Sequence, residues 1–294
     1  MPSLFDVACK ISIYDAAGRF VAAVPINRAK QRFEGAGQNG GLFPPAASLF
    51  AFACAILRLR GSLVVAPQDP PGAAKEIRRL GAHGGIVQVL MSSGSERPYG
   101  DPFYEPIWEA AAEVDLPVAA HLGGQGGINA NPTGCGPPTF FWEAHALFCE
   151  TGMGHVASVI AHGIFERYPN ARFVLIECGV AWLPALLWRL DADYKALRKE
   201  TPWLKKLPSE YAREHIRLTT QPLEQPKDKR HLWAALEAMN GREVLLFASD
   251  YPHWDFDDPT TLDLPPGWEE DVFDGNARRL YGLAALNIAQ AGVG

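Results

Sequence analysis

The 294-residue sequence has few of the features that mark secreted, nucleic-acid-binding or membrane proteins. Its five cysteines are scattered without a CxxC pair, which excludes a disulfide framework and indicates a reducing compartment. Lys and Arg (27) are outnumbered by Asp and Glu (33), and no basic run occurs. The apolar run Ser48–Leu57 is too short to span a bilayer, and no signal segment opens the chain. We therefore expect a soluble cytoplasmic protein that binds neither nucleic acid nor membranes.

The sequence also lacks the glycine-rich phosphate-binding motifs GxGxxG and GxxxxGK[ST] after any predicted strand. Their absence disfavours a nucleotide-binding doubly wound sheet. What the sequence does contain, from residue 61 onward, is a regular alternation of short apolar strands with helices. This alternation predicts a parallel sheet with right-handed crossovers.

Six strands are predicted after residue 60, and the first 60 residues add one or two more as a hairpin. With about 250 residues typical of a (β/α)₈ barrel, we predict an α/β fold of the TIM-barrel type, as one domain over residues 1–294. We expect residues 1–60 to be atypical and the barrel to be incomplete or distorted there. The predicted strands are Lys10–Tyr14, Phe20–Val24, Ser62–Ala66, Ile86–Met91, Pro117–His121, Arg172–Glu177, Ile216–Thr220 and Val244–Ala248, and the predicted helices are Ala46–Arg60, Ala73–Leu80, Tyr104–Glu113, Phe140–Ala161, Ala181–Leu197, Lys229–Met239 and Asp271–Tyr281.

Three of the predicted strands end in a group that binds metals or moves protons: His121, Glu177 and Asp250. In a parallel barrel these ends lie on one rim, where catalytic groups sit. A neutral imidazole with carboxylates suits Zn²⁺, Mn²⁺ or Fe²⁺, and such a metal would activate a bound water and polarise a carbonyl group. We predict that the three residues form one site, although a packed histidine and a turn-forming aspartate are the alternatives for each residue alone.

Other histidines and aromatic residues give weaker signals. His145, His155 and His162 share one face of the predicted helix 140–161 and could border the site, but capping or solvated roles are the stronger interpretation. His253 follows Asp250 by three residues and could touch a substrate or hold the loop. The glycine-rich loop Gly123–Pro138 is predicted to form a rim over the substrate. Trp142, Trp182 and Trp254 are candidates for an aromatic pocket, with core packing as the alternative.

Three stretches resemble the amidohydrolase-related family, in the branch of aminocarboxymuconate-semialdehyde and γ-resorcylate decarboxylases. They contain PVAAH, then FVLIECG, then ASDYPHWD, and they span Asp101–Gly124, Gly163–Asp191 and Leu245–Asp255. The resemblance implies a distorted (β/α)₈ barrel with one divalent metal, commonly zinc, and cleavage of C–C or C–N bonds in small, often aromatic-derived carboxylates. It implies that His121 is a metal ligand and that Asp250 binds metal or moves a proton. It also implies a homodimer as a frequent state.

Two positions depart from the family pattern. Glu177 stands where the decarboxylases of the family have a catalytic histidine, so that it would act as a base or as a third ligand. The His-x-His or Glu-x-His pair that opens the family is missing, since the first histidine is His83, and Lys10 and Ser12 would take its place. Weak or absent metal binding is therefore one expectation. The first reading is a metal-dependent hydrolase of a small carboxylate; the alternatives are a decarboxylase and a catalytically impaired barrel.

Overall fold

A computed structural model describes residues 10–14 and 20–25 as backbone, and residues 60–124, 136–251 and 253–283 with their side chains. Six parallel strands, hydrogen-bonded in chain order, form the main sheet. The strands of the main sheet are β3 (Gly61–Val64), β4 (Ile86–Ser92), β5 (Val118–His121), β6 (Phe173–Ile176), β7 (Ile216–Thr219) and β8 (Leu245–Leu246), and those of the hairpin are β1 (Lys10–Tyr14) and β2 (Phe20–Pro25).

Helices follow the strands as the alternation predicts. Within the described residues they are α1 (Pro70–Leu80), α2 (Glu105–Glu113), α3 (Phe141–Ala146), α4 (Cys149–Ala161), α5 (Ile164–Arg167), α6 (Leu183–Leu197), α7 (Pro208–His215), α8 (Lys229–Ala238), α9 (Gly241–Val244) and α10 (Asn276–Tyr281). A 3₁₀ turn (Pro102–Tyr104) precedes α2, and a π-helical turn (Asp271–Gly275) precedes α10. In the described ranges, no helix combines the length and the apolar character needed to cross a bilayer.

The central strands of the sheet are largely apolar, and side chains on both of their faces are buried. Val89 and Met91 of β4 pack in the large core with helical side chains such as Trp108. Leu90, which alternation turns to the opposite face, packs in a smaller cluster with Leu280 of α10. This continuous burial of successive residues is typical of a parallel sheet between two layers. The predicted α/β barrel architecture is confirmed in its six consecutive parallel strands.

The hairpin was predicted correctly, but its place in the fold was not. β1 pairs with β2 in antiparallel register, from Lys10 opposite Pro25 to Tyr14 opposite Phe20. The two strands form a sheet of their own and add nothing to the six parallel strands. Lys10 and Ser12 therefore do not lie on a strand of the parallel sheet, where the sequence analysis had placed them.

Three further boundaries differ from the sequence prediction. The predicted helix 140–161 breaks after Ala146 into α3 and α4, so His145 and His155 do not share a face. The last strand is reduced to Leu245–Leu246, because Val244 ends the short helix α9. The helix α7 was missed, since it is short and mostly polar. Residues 46–59 of the predicted helix Ala46–Arg60 lie outside the described residues.

His155 is part of the core rather than of any site. Its ring stacks on Tyr99 with centroids 4.2 Å apart and is only 3% exposed. Its Nδ1 accepts a hydrogen bond from the Tyr99 backbone N–H, and its Nε2 donates to the Ser93 carbonyl. These two bonds specify the neutral imidazole with the proton on Nε2. Burial lowers the pKa of His155 to about 4.

The protein should therefore lose stability as the pH falls from about 6.5 toward 4. Over this range the unfolded chain binds a proton at His155 while the native chain, with a pKa of about 4, does not. Between pH 7 and pH 5 we expect the His155 contribution to lower the free energy of unfolding by about 2 kcal/mol. Urea denaturation at both pH values measures this. His155→Gln, which keeps one donor and one acceptor, should reduce the pH dependence by that amount; an unchanged pH dependence would contradict the assignment.

Candidate active site

The three residues predicted from strand ends line one cavity. His121 closes β5, Glu177 follows β6 and Asp250 follows β8, and all three border a cavity of about 630 Å³. Strand register brings the first two together: His121 lies opposite Ile176, so Glu177 extends one residue beyond it at the same edge. The predicted meeting of these residues at the carboxyl ends of the strands is thus observed, whereas their chemical roles stay predictions.

His121 and Glu177 form a direct pair. The distance from His121 Nε2 to Glu177 Oε1 is 3.0 Å, and His121 Nδ1 lies 2.6 Å from the Leu122 carbonyl oxygen. Burial lowers the pKa of His121, but Glu177, the Leu122 carbonyl and the charge of Asp250 outweigh it, so that the pKa of this imidazole is raised. Since Nδ1 faces a carbonyl oxygen, it carries a proton, and the raised pKa favours the imidazolium form, in which Nε2 donates to Glu177 Oε1. Both side chains line the cavity.

Both acids hold an unusual backbone conformation. Glu177 has a φ of 59° and Asp250 a φ of 52°, in the left-handed region that most residues avoid. Such a conformation costs on the order of 1 kcal/mol or more for a non-glycine residue. The Glu177 backbone N–H donates to Thr219 Oγ1 at 3.1 Å, which fixes the turn. The strain is retained at two of the three predicted site residues, which favours a functional role for both.

A second cluster lies on the loop after β8. One carboxylate oxygen each from Asp250 and Asp255 and one ring nitrogen of His253 lie within 4.8 Å of one another, and within the described residues this is the group arranged to hold a metal ion. His253 Nδ1 is 2.5 Å from Asp250 Oδ2. His121 and Glu177 do not belong to this group. Of the three ligands expected from the sequence, His121 and Glu177 therefore contact each other, whereas Asp250 lies with His253 and Asp255 on the loop.

His145, on α3, contacts the loop cluster. Its Nε2 lies 3.1 Å from Asp255 Oδ2, and its ring is surrounded by Phe141, Phe148 and Trp254, with centroids 5.1–5.7 Å away. These side chains form an aromatic wall of the cavity. The sequence interpretation of His145 as a capping or solvated residue is thus corrected, because the helix break after Ala146 turns it toward the cavity.

The proposed aromatic pocket is borne out for one tryptophan of the three. Trp254 lines the cavity, Trp182 packs against the core, and Trp142 is exposed without lining the cavity. Of the predicted rim loop, Gly123 and Gly124 line the cavity and residues 125–135 lie outside the described ranges.

The cavity is strongly acidic. Its described lining includes the carboxylates of Glu177, Glu224, Asp250 and Asp255, and no Lys or Arg among the described residues lines it. Asp257, behind Asp255, has its pKa raised to about 6 by burial and by the neighbouring charges of Asp255 and Glu224. Clustered carboxylates in a partly buried site repel one another unless a cation or protons offset them. An anionic ligand could bind here only together with positive charge.

Asp255 and Glu224 line the cavity but were not predicted as site residues from the sequence. Glu224 accepts hydrogen bonds from the backbone N–H groups of Val180 and Ala181 at 3.1–3.2 Å, just before α6. No strand-end signal marks it, because it lies on the loop after β7. Asp255 was detectable, since Asp250, His253 and Asp255 form a D-x-x-H-x-D spacing that concentrates three potential ligands within six residues.

Comparison with known proteins identifies the family. The profile of the amidohydrolase family matches residues 47–283, which is most of the chain. The chain belongs to the amidohydrolase family. The resemblance stated from the motifs at His121, Glu177 and Asp250 is thereby confirmed.

Within this family, curated relatives include two γ-resorcylate decarboxylases. The protein from Rhodococcus jostii is 33% identical over 144 residues, covering 46% of this chain and 43% of that protein. The protein from Polaromonas is 26% identical over 250 residues, covering 77% of this chain and 71% of that protein. The match to the first relative thus spans less than half of that relative's length. The names favour the decarboxylase alternative over the hydrolase that the sequence analysis put first.

A solved structure supports the same grouping. The 5-carboxyvanillate decarboxylase from Novosphingobium aromaticivorans, in complex with manganese and 4-hydroxy-3-methoxy-5-nitrobenzoic acid, superposes with a TM-score of 0.55 at 25% identity. The superposition covers 76% of this chain and 64% of that structure. A divalent metal is thus found in a neighbour of this fold, and it is manganese there rather than the zinc expected first from the sequence.

Proposed function

We propose that this amidohydrolase-family chain is a metal-dependent decarboxylase of a small hydroxylated aromatic carboxylate. The observation that carries the proposal is the relationship to γ-resorcylate decarboxylases, which extends over 77% of the chain in one case. The cavity supports it, because an aromatic wall of Phe141, Phe148 and Trp254 suits a planar ring. Hydrolysis, the first reading from the sequence, has no comparable support.

The reaction needs one proton delivered to carbon. A new C–H bond forms at the ring carbon that carries the carboxylate, and the C–C bond to the carboxylate then breaks. Its electron pair returns to the ring, and carbon dioxide leaves. The balance is one proton consumed and no redox change. The protein must therefore hold a proton close to the ring face and stabilise the substrate's negative charge.

The His121–Glu177 pair is the proposed proton source. Both side chains line the cavity, and His121 faces the Leu122 carbonyl through Nδ1 and Glu177 through Nε2. The aromatic wall lines the same cavity, so a ring bound there shares one cavity with this pair. General acids of this kind contribute roughly 10²–10⁴-fold to a rate. Glu177 thus takes over proton transfer from the histidine that the family has at this position.

The donor chemistry of the cavity fits the divalent metal of the family. Oxygen donors from Asp250 and Asp255 and a nitrogen donor from His253 are a set that Mn²⁺ and Zn²⁺ both accept. When bound, the metal would supply the positive charge that holds a carboxylate or phenolate oxygen in this acidic cavity. The described residues of the cavity provide no lysine or arginine for that purpose. Glu224 and the aromatic wall would bound and orient the ring.

The experiment compares decarboxylation with hydrolysis on the purified protein. After loading with MnCl₂ or ZnCl₂, we expect carbon dioxide release from γ-resorcylate, 5-carboxyvanillate or a related hydroxybenzoate. In D₂O the product should carry deuterium at the carbon that lost the carboxylate. Benzamides of the same rings serve as hydrolysis substrates. Turnover of the amides alone would reject decarboxylation in favour of hydrolysis, and turnover of neither set would indicate the catalytically impaired barrel.

A further inference from the structure

We infer that Glu224 determines which ring substituents the cavity accepts: its carboxylate takes a hydrogen bond from a hydroxyl or amino group of the substrate ring and disfavours an ether at that position. The inference rests on the proposed function and deepens it, because it names a substituent that the ring carries besides its carboxylate. Glu224 acts on recognition of the ring and takes no part in the proton transfer.

Glu224 lies where a bound ring can reach it. It is exposed on the loop after β7 and lines the same cavity as the aromatic wall. Its carboxylate contacts the residues that follow β6. Burial, and after it the charge of Glu224, raises the pKa of the Cys149 thiol at the start of α4. The carboxylate is therefore close to both the β6 loop and α4, and both contribute lining residues to the cavity.

The backbone holds the Glu224 carboxylate in place. The Val180 N–H lies 3.2 Å from Oε1 and 3.1 Å from Oε2, and the Ala181 N–H donates to Oε2 at 3.2 Å. Gly179, with a φ of 65°, leaves room for the carboxylate, since a Cβ atom there would overlap Oε1. A carboxylate offers about four lone-pair positions, so two N–H groups leave acceptor positions for a ligand.

The partners of Glu224 differ from those of the other carboxylates in the cavity, each of which faces an imidazole. The imidazole pairs are Glu177 with His121 at 3.0 Å, Asp250 with His253 at 2.5 Å and Asp255 with His145 at 3.1 Å. Within the described residues, the hydrogen bonds to Glu224 come from neutral backbone N–H groups. A hydroxyl or aromatic amino group donates to such an acceptor, whereas an ether oxygen can only accept and would face the carboxylate without a bond.

The test measures the binding of matched 2-nitrophenols to the Mn²⁺-loaded protein by calorimetry. The nitro group takes the place of the carboxylate, so the probes bind without being decarboxylated. Each probe carries a hydroxyl, an amino or a methoxy group at one further ring position, and the series covers every such position. At one position or more, the hydroxyl and amino probes should bind about 10- to 100-fold more tightly than the methoxy probe, as a hydrogen bond to a charged acceptor predicts.

Glu224→Gln should reduce this ratio to within about 3-fold, because an amide both donates and accepts and no longer separates the two kinds of substituent. The affinity for unsubstituted 2-nitrophenol should stay within about 3-fold of that of the unaltered protein, since this probe lacks the group that Glu224 contacts. The matched control is Glu210→Gln. Glu210 is also exposed and accepts the Leu207 backbone N–H at 2.7 Å at the start of α7, but it does not line the cavity. This control should keep the ratio of the unaltered protein.

The outcomes separate the inference from the proposed function. A protein that shows no donor preference at any ring position, or one that keeps its preference in Glu224→Gln, would overturn the inference and leave the decarboxylase proposal intact. An equal loss of affinity for all probes in Glu224→Gln would assign Glu224 a purely structural role, and binding of no probe would overturn the inference as well. A preference that is lost in Glu224→Gln, in a protein that decarboxylates no hydroxybenzoate, would reject the proposed function and keep the assignment of Glu224.

Discussion

Glu177→Gln should lower kcat for decarboxylation by about 10²–10⁴-fold while the protein stays folded and binds its metal. The substitution keeps the size of the side chain but removes the carboxylate that shares a proton with His121 Nε2. The imidazole then loses the partner that raises its pKa, so it is protonated less often when the substrate is bound. Single-turnover measurements of carbon dioxide release isolate this step from product release.

A matched control for this variant is Glu166→Gln. Glu166 has a similarly small exposed fraction, 14% against 11% for Glu177, and is paired with Lys205, but it does not line the cavity. We expect it to leave kcat within about 3-fold, since substitutions away from the reacting groups seldom act on the chemical step. Equal loss of activity in the two variants would attribute the effect of Glu177 to folding, and full activity of Glu177→Gln would exclude it as the proton source.

The residues at strand ends were predictable because two simple physical facts locate them. A buried strand ends where polar residues begin, and parallel strands end on the same edge of a sheet. His121 and Glu177 follow from these facts alone, and the register of β5 and β6 then places them in contact. The six-strand core of the fold was predictable for the same reason, because apolar runs of strand length alternate with helices throughout residues 61–281.

The rest of the site depends on contacts that no local pattern encodes. His145 reaches the cavity only because the helix breaks at Leu147 and Phe148, and an unbroken amphipathic pattern hid that break. Glu224 is held by the backbone N–H groups of Val180 and Ala181, which precede it in the sequence by 44 and 43 positions. The hairpin β1–β2 was found from its turn, yet its membership in the parallel sheet was assumed from the family, and the pairing of β1 with β2 alone corrects it.

The proposed roles of the two parts of the site differ in charge. The His121–Glu177 pair is the proposed proton source, and the acidic loop with Asp250 and Asp255 is the proposed metal site. A carboxylate substrate would be attracted by the cation and repelled by the bare loop. Metal binding and substrate binding are therefore coupled, and substrate affinity should fall when the metal is removed.

Asp250→Asn should weaken Mn²⁺ binding at least about 100-fold. It should reduce kcat/KM for decarboxylation by a comparable factor. Asp250 belongs to the loop cluster and is also the aspartate that the family resemblance assigns to the metal, so the result is expected for either ligand set. The side chain is almost completely buried, at 4% exposed. Calorimetric titration with MnCl₂ measures the affinity.

Asparagine is the appropriate replacement because of the backbone at this position. Asp250 has a φ of 52°, a conformation that asparagine adopts more readily than most residues, so the turn after β8 should survive. Asp115, with a φ of 55° and a pairing to Arg172 on the surface, allows the same substitution in the same conformation away from the cavity. Asp115→Asn should bind Mn²⁺ as the unaltered protein does. If Asp250→Asn also binds Mn²⁺ with unaltered affinity, Asp250 is not a ligand and both proposed metal sets are wrong.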